Sequence, residues 1–268
     1  MKIGISVANF SSQFGPIVYA GEDLENALKT IKKLGYNGVD FFVNELRESE
    51  VKRYVSLFKS LELEVPLLVA IHLAKQGISL SDPDKKRRIE GVKKYIEQIK
   101  IAAKFESNLP IGFIRGNIQK HAGESIFRKR LSESLKAISD EAEKQGVGIF
   151  FEPINRYEVD NFNRIDSSLE FLEENNLSYI QLLIDTFHMN IEERSIEDAI
   201  RIAGDRIGHI HISDSNRLAP GMGHLDYAKI LKVIKETGYN RFLSLEIFPE
   251  PSPDECAQKG IKFLKGIL

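Results

Sequence analysis

Short apolar runs alternate with longer amphipathic stretches along the chain. The short runs begin near Ile3 (KIGIS), Gly38 (GVDFF), Pro66 (PLLVAI), Ile111 (IGFIRG), Val147 (VGIFFE), Ile180 (IQLLID), Ile207 (IGHIHIS) and Phe242 (FLSLEIF). Their near-continuous apolar character predicts strands buried on both faces. Between them, DLENALKTIKKLG, DKKRRIEGVKKYIEQIKIAAK, RKRLSESLKAISDEAEKQG and DYAKILKVIKETG repeat apolar residues at three- and four-residue spacing. That spacing predicts helices with one face on a core, and the glycines that end several of them are C-terminal stops. SLSDPD at 79–84 offers a serine or aspartate N-cap to a long helix.

Strands alternating with helices imply parallel strands covered on the outside. Eight such units with no linker and no shift in composition predict an α/β fold, a closed (β/α)8 TIM barrel, with residues 1–268 as a single domain. An open doubly wound sheet would carry G-x-G-x-x-G after its first strand. GISVANFSSQFG has no such loop.

The barrel sets where chemistry is expected, because active sites in this fold gather at the C-terminal strand ends. The fifth run ends on Glu152, the sixth on Asp185 and the eighth carries Glu246, while the seventh puts His209 and His211 on one face. A lone acid at a strand end is ordinarily solvated or caps a helix, and a lone histidine in a strand is ordinarily a core residue. Their coincidence on four consecutive strands points elsewhere. Carboxylates buried together repel unless a cation joins them. Three carboxylates and one imidazole, Glu152, Asp185, His211 and Glu246, suit a hard divalent ion, Mn²⁺ or Mg²⁺ with Co²⁺ as an alternative, better than structural zinc.

His188 follows Asp185 on its loop and would face whatever the metal binds. Glu158, Asn216 and Arg217 lie on neighbouring loops, where each would either meet a ligand or tie the loops together. Arg115 ends the fourth run on the face of Ile111 and Phe113, placed to pair with a substrate carboxylate or with a loop acid. His209 sits one layer deeper than His211 and is assigned to its support or to the core. His72 ends the third run, with lining and structural roles both open; His121 and His224 fall in loops.

Composition narrows the class. Lys and Arg number 37 against 39 Asp and Glu, so the basic footprint of a nucleic-acid binder is missing. The single cysteine, Cys256, allows no internal disulfide and fits a reducing compartment. The apolar run in MKIGISVANF is too short for a signal peptide, and no stretch reaches the roughly 18 apolar residues of a membrane span. A cytoplasmic protein without nucleic-acid or membrane partners is expected.

FEPINRYE, IDTFHMNIEE, HIHISDSNRLAPGMGHLDY and LSLEIF closely resemble the ketose 3-epimerases, of the D-tagatose/D-allulose 3-epimerase type, in the xylose-isomerase-like barrel superfamily. EPINRYE and IRG at 114–116 look most like the branch that includes 5-keto-L-gluconate epimerase. The resemblance implies that Glu152, Asp185, His211 and Glu246 bind one divalent metal, usually Mn²⁺. It also implies that Glu152 and Glu246 are the acid–base pair and that Glu158, His188 and Arg217 hold the oxygens of a small-molecule sugar. SVANFSSQF departs from the free-ketohexose enzymes in lacking an aromatic cluster after the first strand. Relatives of this type are dimers or tetramers, so a homo-oligomer is implied.

Together these readings predict inversion at C3 of a ketose or keto sugar acid, by proton abstraction and return through a cis-enediolate. Arg115 favours an acid such as 5-keto-L-gluconate or D-tagaturonate; D-tagatose, D-fructose and D-allulose are the neutral candidates. An aldose–ketose isomerase of the hydroxypyruvate isomerase kind shares the barrel and ligands. A non-catalytic sugar-binding barrel would have little use for both Glu152 and Glu246. An endonuclease IV-like repair enzyme needs more histidines than the six in this chain.

Overall fold

In a computed structural model, which describes residues 1–11, 15–21, 23–120 and 122–268, the alternation becomes a barrel. The first half comprises β1 (Lys2–Ala8), a short β2 (Tyr19–Ala20), α1 (Leu24–Leu34), β3 (Gly38–Val43), α2 (Glu48–Ser60), β4 (Glu64–Ala70), α3 (Ile71–Lys75), α4 (Lys85–Lys104), β5 (Leu109–Ile111) and α5 (Glu124–Gln145). The second comprises β6 (Ile149–Phe151), α6 (Ile165–Glu174), β7 (Gln181–Asp185), α7 (Thr186–Glu192), α8 (Ile196–Ala203), β8 (Ile207–Ile212), α9 (Tyr227–Glu236), β9 (Phe242–Leu245) and α10 (Pro253–Ile267). His121 and part of the SVANFSSQF stretch lie outside the described residues.

All strand pairs are parallel, in the order β4-β3-β1-β9-β8-β7-β6-β5, with β2 attached to β1. The ring closes between β4 and β5 through a bridge of Leu67 with Asn108. Asn108 adds side-chain bonds there, donating to Pro66 O at 2.9 Å and accepting from Gly148 N at 3.0 Å. The predicted (β/α)8 barrel is the fold.

Local chemistry sets the element ends. Asp84 is the cap of the long helix, accepting from Lys86 N and Arg87 N. Gly35 and Gly146 close α1 and α5 in the left-handed conformation that glycine adopts without a Cβ clash. Two predicted strands end early. The fourth stops at Ile111 and passes into a 3₁₀ turn at Phe113–Arg115. The third gives way after Ala70 to α3, which carries His72.

A large apolar cluster fills the space between strands and helices, and Leu67, Phe150 and Leu183 form a smaller one within the barrel. Two residues beyond Phe150 and Leu183, on the same strand face, come Glu152 and Asp185. Among the described residues no helix is long and apolar enough to cross a membrane.

Asn108→Ala should weaken closure by removing the side-chain bonds to Pro66 of β4 and to Gly148 just before β6. The expected loss is about 1–3 kcal/mol of unfolding free energy, measured by urea denaturation.

Candidate metal centre and active site

Asp185 has two tasks. Its Oδ1 accepts Phe187 N at 2.8 Å and caps α7, which explains how a buried strand can end on an acid and turn at once into a helix. Oδ2 is left to face the barrel end. His211 pairs in register with Asp185 across β7 and β8. Glu152 and Glu246 follow β6 and β9, and their backbone N–H groups still bond the neighbouring strands at Ile111 O and Ile212 O.

Ligand atoms of Glu152, Asp185 and His211 all lie within 4.8 Å of one another. Glu246 Oε2 lies 3.3 Å from His211 Nδ1. That nitrogen is buried without a hydrogen-bond partner, whereas Nε2 of the same ring donates to Asp40 Oδ2 at 3.1 Å. An imidazole nitrogen turned toward three carboxylates fits a divalent cation in the place of a proton, with a fourth carboxylate, Asp40, fixing the ring from behind. Oxygen-rich donors with one nitrogen favour a hard ion.

Positive charge comes from Arg217, whose guanidinium bonds Asp185 Oδ2 at 2.5 Å, Ser213 Oγ at 3.4 Å and Glu246 Oε2. Its charge lies over the Phe187 ring, 4.7 Å from the centroid. Arg217 holds a left-handed backbone, φ 64°, strained for a residue with a Cβ. The loop enforces it: Arg217 N bonds Asp214 O, and the Asp214 carboxylate accepts from the backbone N–H groups of Ser215, Gly221 and Leu225.

His188 Nδ1 meets the Asn155 side-chain amide nitrogen at 2.8 Å. The amide can only donate, so Nδ1 accepts and the ring proton sits on Nε2. Nε2 points at the site, 3.9 Å from both Glu152 and Asp185. Asn155 also bonds Glu158 Oε1 at 2.7 Å, orienting two residues at once.

The two glutamates are held in different protonation regimes. Burial and then the Glu246 charge push Glu152 up to about 8. Burial would raise Glu246 as well, but His211 and Arg217 outweigh it and hold that carboxyl far below its usual range. Burial also keeps His188 below the ordinary histidine range, hence neutral near pH 7. Two carboxyls pushed in opposite directions and facing a common space suit acid–base chemistry.

That space is a cavity of about 550 Å³. Glu152, Glu158, His188, His211, Arg217 and Glu246 line it, together with the aromatic rings of Phe10, Phe42 and Phe113.

Some expected residues stand elsewhere. Arg115 is not at a strand end and does not line the cavity: the turn that begins at Gly112 carries it inward. There its guanidinium donates to Asn161 Oδ1, Asn161 O, Glu152 O and Gly112 O, at 0% exposure. With four donors engaged on the protein itself, it braces the turn at Gly112 against Glu152 and Asn161. Asn216 points outward to bond Met222 O. His72 is buried on α3 and is not among the lining residues, although its neighbours Ile71 and Leu73 are. His209 takes the deeper position expected and donates to Asp40 at 2.8 Å. Asp40 and Asn155 escape a reading confined to strand ends; the signal for Asp40 is an acid in the middle of the apolar run GVDFF.

A sequence model described as the xylose isomerase-like TIM barrel matches residues 28–267. The D-psicose 3-epimerase of Enterocloster bolteae is 40% identical over 121 residues, 45% of this chain and 40% of that one. The D-psicose 3-epimerase of Ruminiclostridium cellulolyticum is 31% identical over 179 residues, 65% of this chain and 60% of that one. Each match thus spans less than two thirds of the relative's length. The solved D-psicose 3-epimerase with D-tagatose from Clostridium cellulolyticum H10 superposes with a TM-score of 0.84 at 23% identity, covering 100% of this chain and 99% of that one. At that identity the likeness concerns the fold.

Two outcomes follow from this geometry. Arg115→Met leaves the Glu152 and Asn161 carbonyls without their partner, so it should lower thermal stability without changing any preference between acidic and neutral sugars; thermal melts and paired kinetics read this. Asp214→Asn should cost about 1–3 kcal/mol by weakening the bonds that hold the Arg217 loop. Burial would raise the folded Asp214 carboxyl, but the backbone N–H groups of Leu225, Ser215, Gly223 and Gly221 outweigh it and keep it below its usual range. Its contribution is therefore complete above the unfolded pKa near ~4 and fades as pH falls through the lower folded value. The stability gap between wild type and Asp214→Asn should close in acid, as followed by urea melts across pH.

Proposed function

The chain belongs to the xylose isomerase-like TIM barrel family, and on that footing we propose that it is a metal-dependent sugar epimerase inverting C3 of a 2-ketose. The observation that carries the reading is the meeting of Glu152, Asp185, His211 and Glu246 at one barrel end, with ligand atoms of the first three within 4.8 Å of one another and Glu246 Oε2 3.3 Å from His211 Nδ1. Relatives named D-psicose 3-epimerase support it. The engagement of Arg115 on the protein takes away the support it gave to a keto sugar acid, and D-tagatose, D-fructose and D-allulose stand beside 5-keto-L-gluconate and D-tagaturonate as candidates.

Glu152, Asp185, His211 and Glu246 would hold the cation, Mn²⁺ before Mg²⁺ or Co²⁺. When bound, such an ion polarises the C2 carbonyl and acidifies the C3 hydrogen. The ionised Glu246 takes that proton from one face of C3. Glu152, carrying its own proton, delivers it to the other face, and the stereocentre inverts through a cis-enediolate. The opposite epimer reacts with the two roles exchanged, as microscopic reversibility requires. His188 offers the Nε2 proton and Arg217 its guanidinium N–H groups to oxygens that gain charge on the way. Glu158 accepts from a hydroxyl, held for that by Asn155. Residues 1–268 act as one unit in this scheme, since the site draws on strands from across the barrel.

With Mn²⁺ and D-tagatose or D-fructose in D₂O, deuterium should enter at C3 alongside the epimer. Glu246→Gln and Glu152→Gln should each lower turnover by about 10²- to 10⁴-fold, and chelation should abolish it. An aldose product with label at C1 or C2, or full turnover in Glu246→Gln, would overturn the proposal.

A further inference from the structure

Below the cavity, β3 sends a single acid into the barrel. Asp40 is 0% exposed and is paired in register with Ser6 of β1. In the ring, β1 and β9 separate its strand from β8, so its side chain crosses the interior to reach the two histidines. Oδ2 accepts both imidazole protons, from His209 Nε2 at 2.8 Å and from His211 Nε2 at 3.1 Å, while Oδ1 has no partner. The His209 ring lies parallel to Phe150 and meets His211 edge-on, with centroids 5.2 Å apart. A carboxylate buried without arginine or lysine is costly unless its bonds compensate. Here one oxygen is used twice and the other not at all, a poor arrangement for stability but a strongly directional one.

We infer that Asp40 is a positioning residue for the metal centre: by accepting from Nε2 of His211 it commits the ring proton to that nitrogen and leaves Nδ1 bare toward Glu152, Asp185 and Glu246. The inference rests on the metal reading above and adds a residue to it. His209 serves Asp40, since its bond to the same oxygen fixes the carboxylate rotamer that presents Oδ2 to His211. Without Asp40 the His211 ring is free to take the other tautomer, with a proton on Nδ1 where a cation would sit. A strut that only joined β3 to β8 would affect stability and leave the tautomer and the metal affinity alone.

Two measurements separate these roles. In wild-type protein loaded with diamagnetic Mg²⁺, long-range ¹⁵N–¹H spectra of the histidine side chains should show the His211 proton on Nε2 and none on Nδ1; a proton on Nδ1 overturns the inference and requires no variant to fold. By calorimetric titration, Asp40→Asn should bind Mn²⁺ about 10- to 100-fold more weakly, and His209→Gln should show a smaller loss. A folded Asp40→Asn with the wild-type Mn²⁺ affinity also overturns it. Asp185→Asn is the control for the underlying reading: should it bind Mn²⁺ as wild type does, the metal lies elsewhere, and that reading fails together with the role of Asp40. Loss of affinity in Asp185→Asn but not in Asp40→Asn sinks the positioning role alone.

Discussion

Carboxylates brought together out of water repel, and Glu152, Asp185 and Glu246 are brought together at one end of a barrel. Every nearby group is placed as that repulsion demands. Arg217 spans Asp185 and Glu246, and burial together with the Glu246 charge pushes the Glu152 carboxyl up. The left-handed backbone at Arg217 belongs to the same account, because the strain is tolerated where it sets a cation between two anions. Such a cluster is expensive to a fold unless it is used.

The barrel makes the gathering geometrically simple. Parallel strands that end at one rim, each presenting alternate residues inward, deliver side chains from separate parts of the chain to a common space. Leu67, Phe150 and Leu183 pack the interior around the buried Asp40–His209 pair, and exclusion of water there raises the cost of unpaired charge and strengthens each electrostatic contact.

Much of this was legible before any coordinates. The strand ends could be read because an acid interrupts an apolar run, and two-residue alternation says which way it faces. That logic fails where the backbone leaves the strand. Gly112 starts a turn, so the alternation from Ile111 to Arg115 no longer holds and the arginine swings inward. Asn216 fails for a related reason, since loop residues have no period to orient them. Asp40 was hidden differently: it breaks its own strand pattern plainly, but its partners His209 and His211 come from the far side of the ring. Asn155 lies between Glu152 and Glu158 in the sequence, and nothing local marks it as the amide that orients His188.

The bonds from Asp40 to His209 and His211 join positions 169 and 171 residues apart. Contacts of such separation form late, because the intervening chain must first be ordered. A collapsed intermediate with native-like helices but an open ring would carry the four strand-end residues and still lack the acceptor behind His211. The acceptor behind His211 is thereby supplied only when β3 and β8 stand in one closed ring.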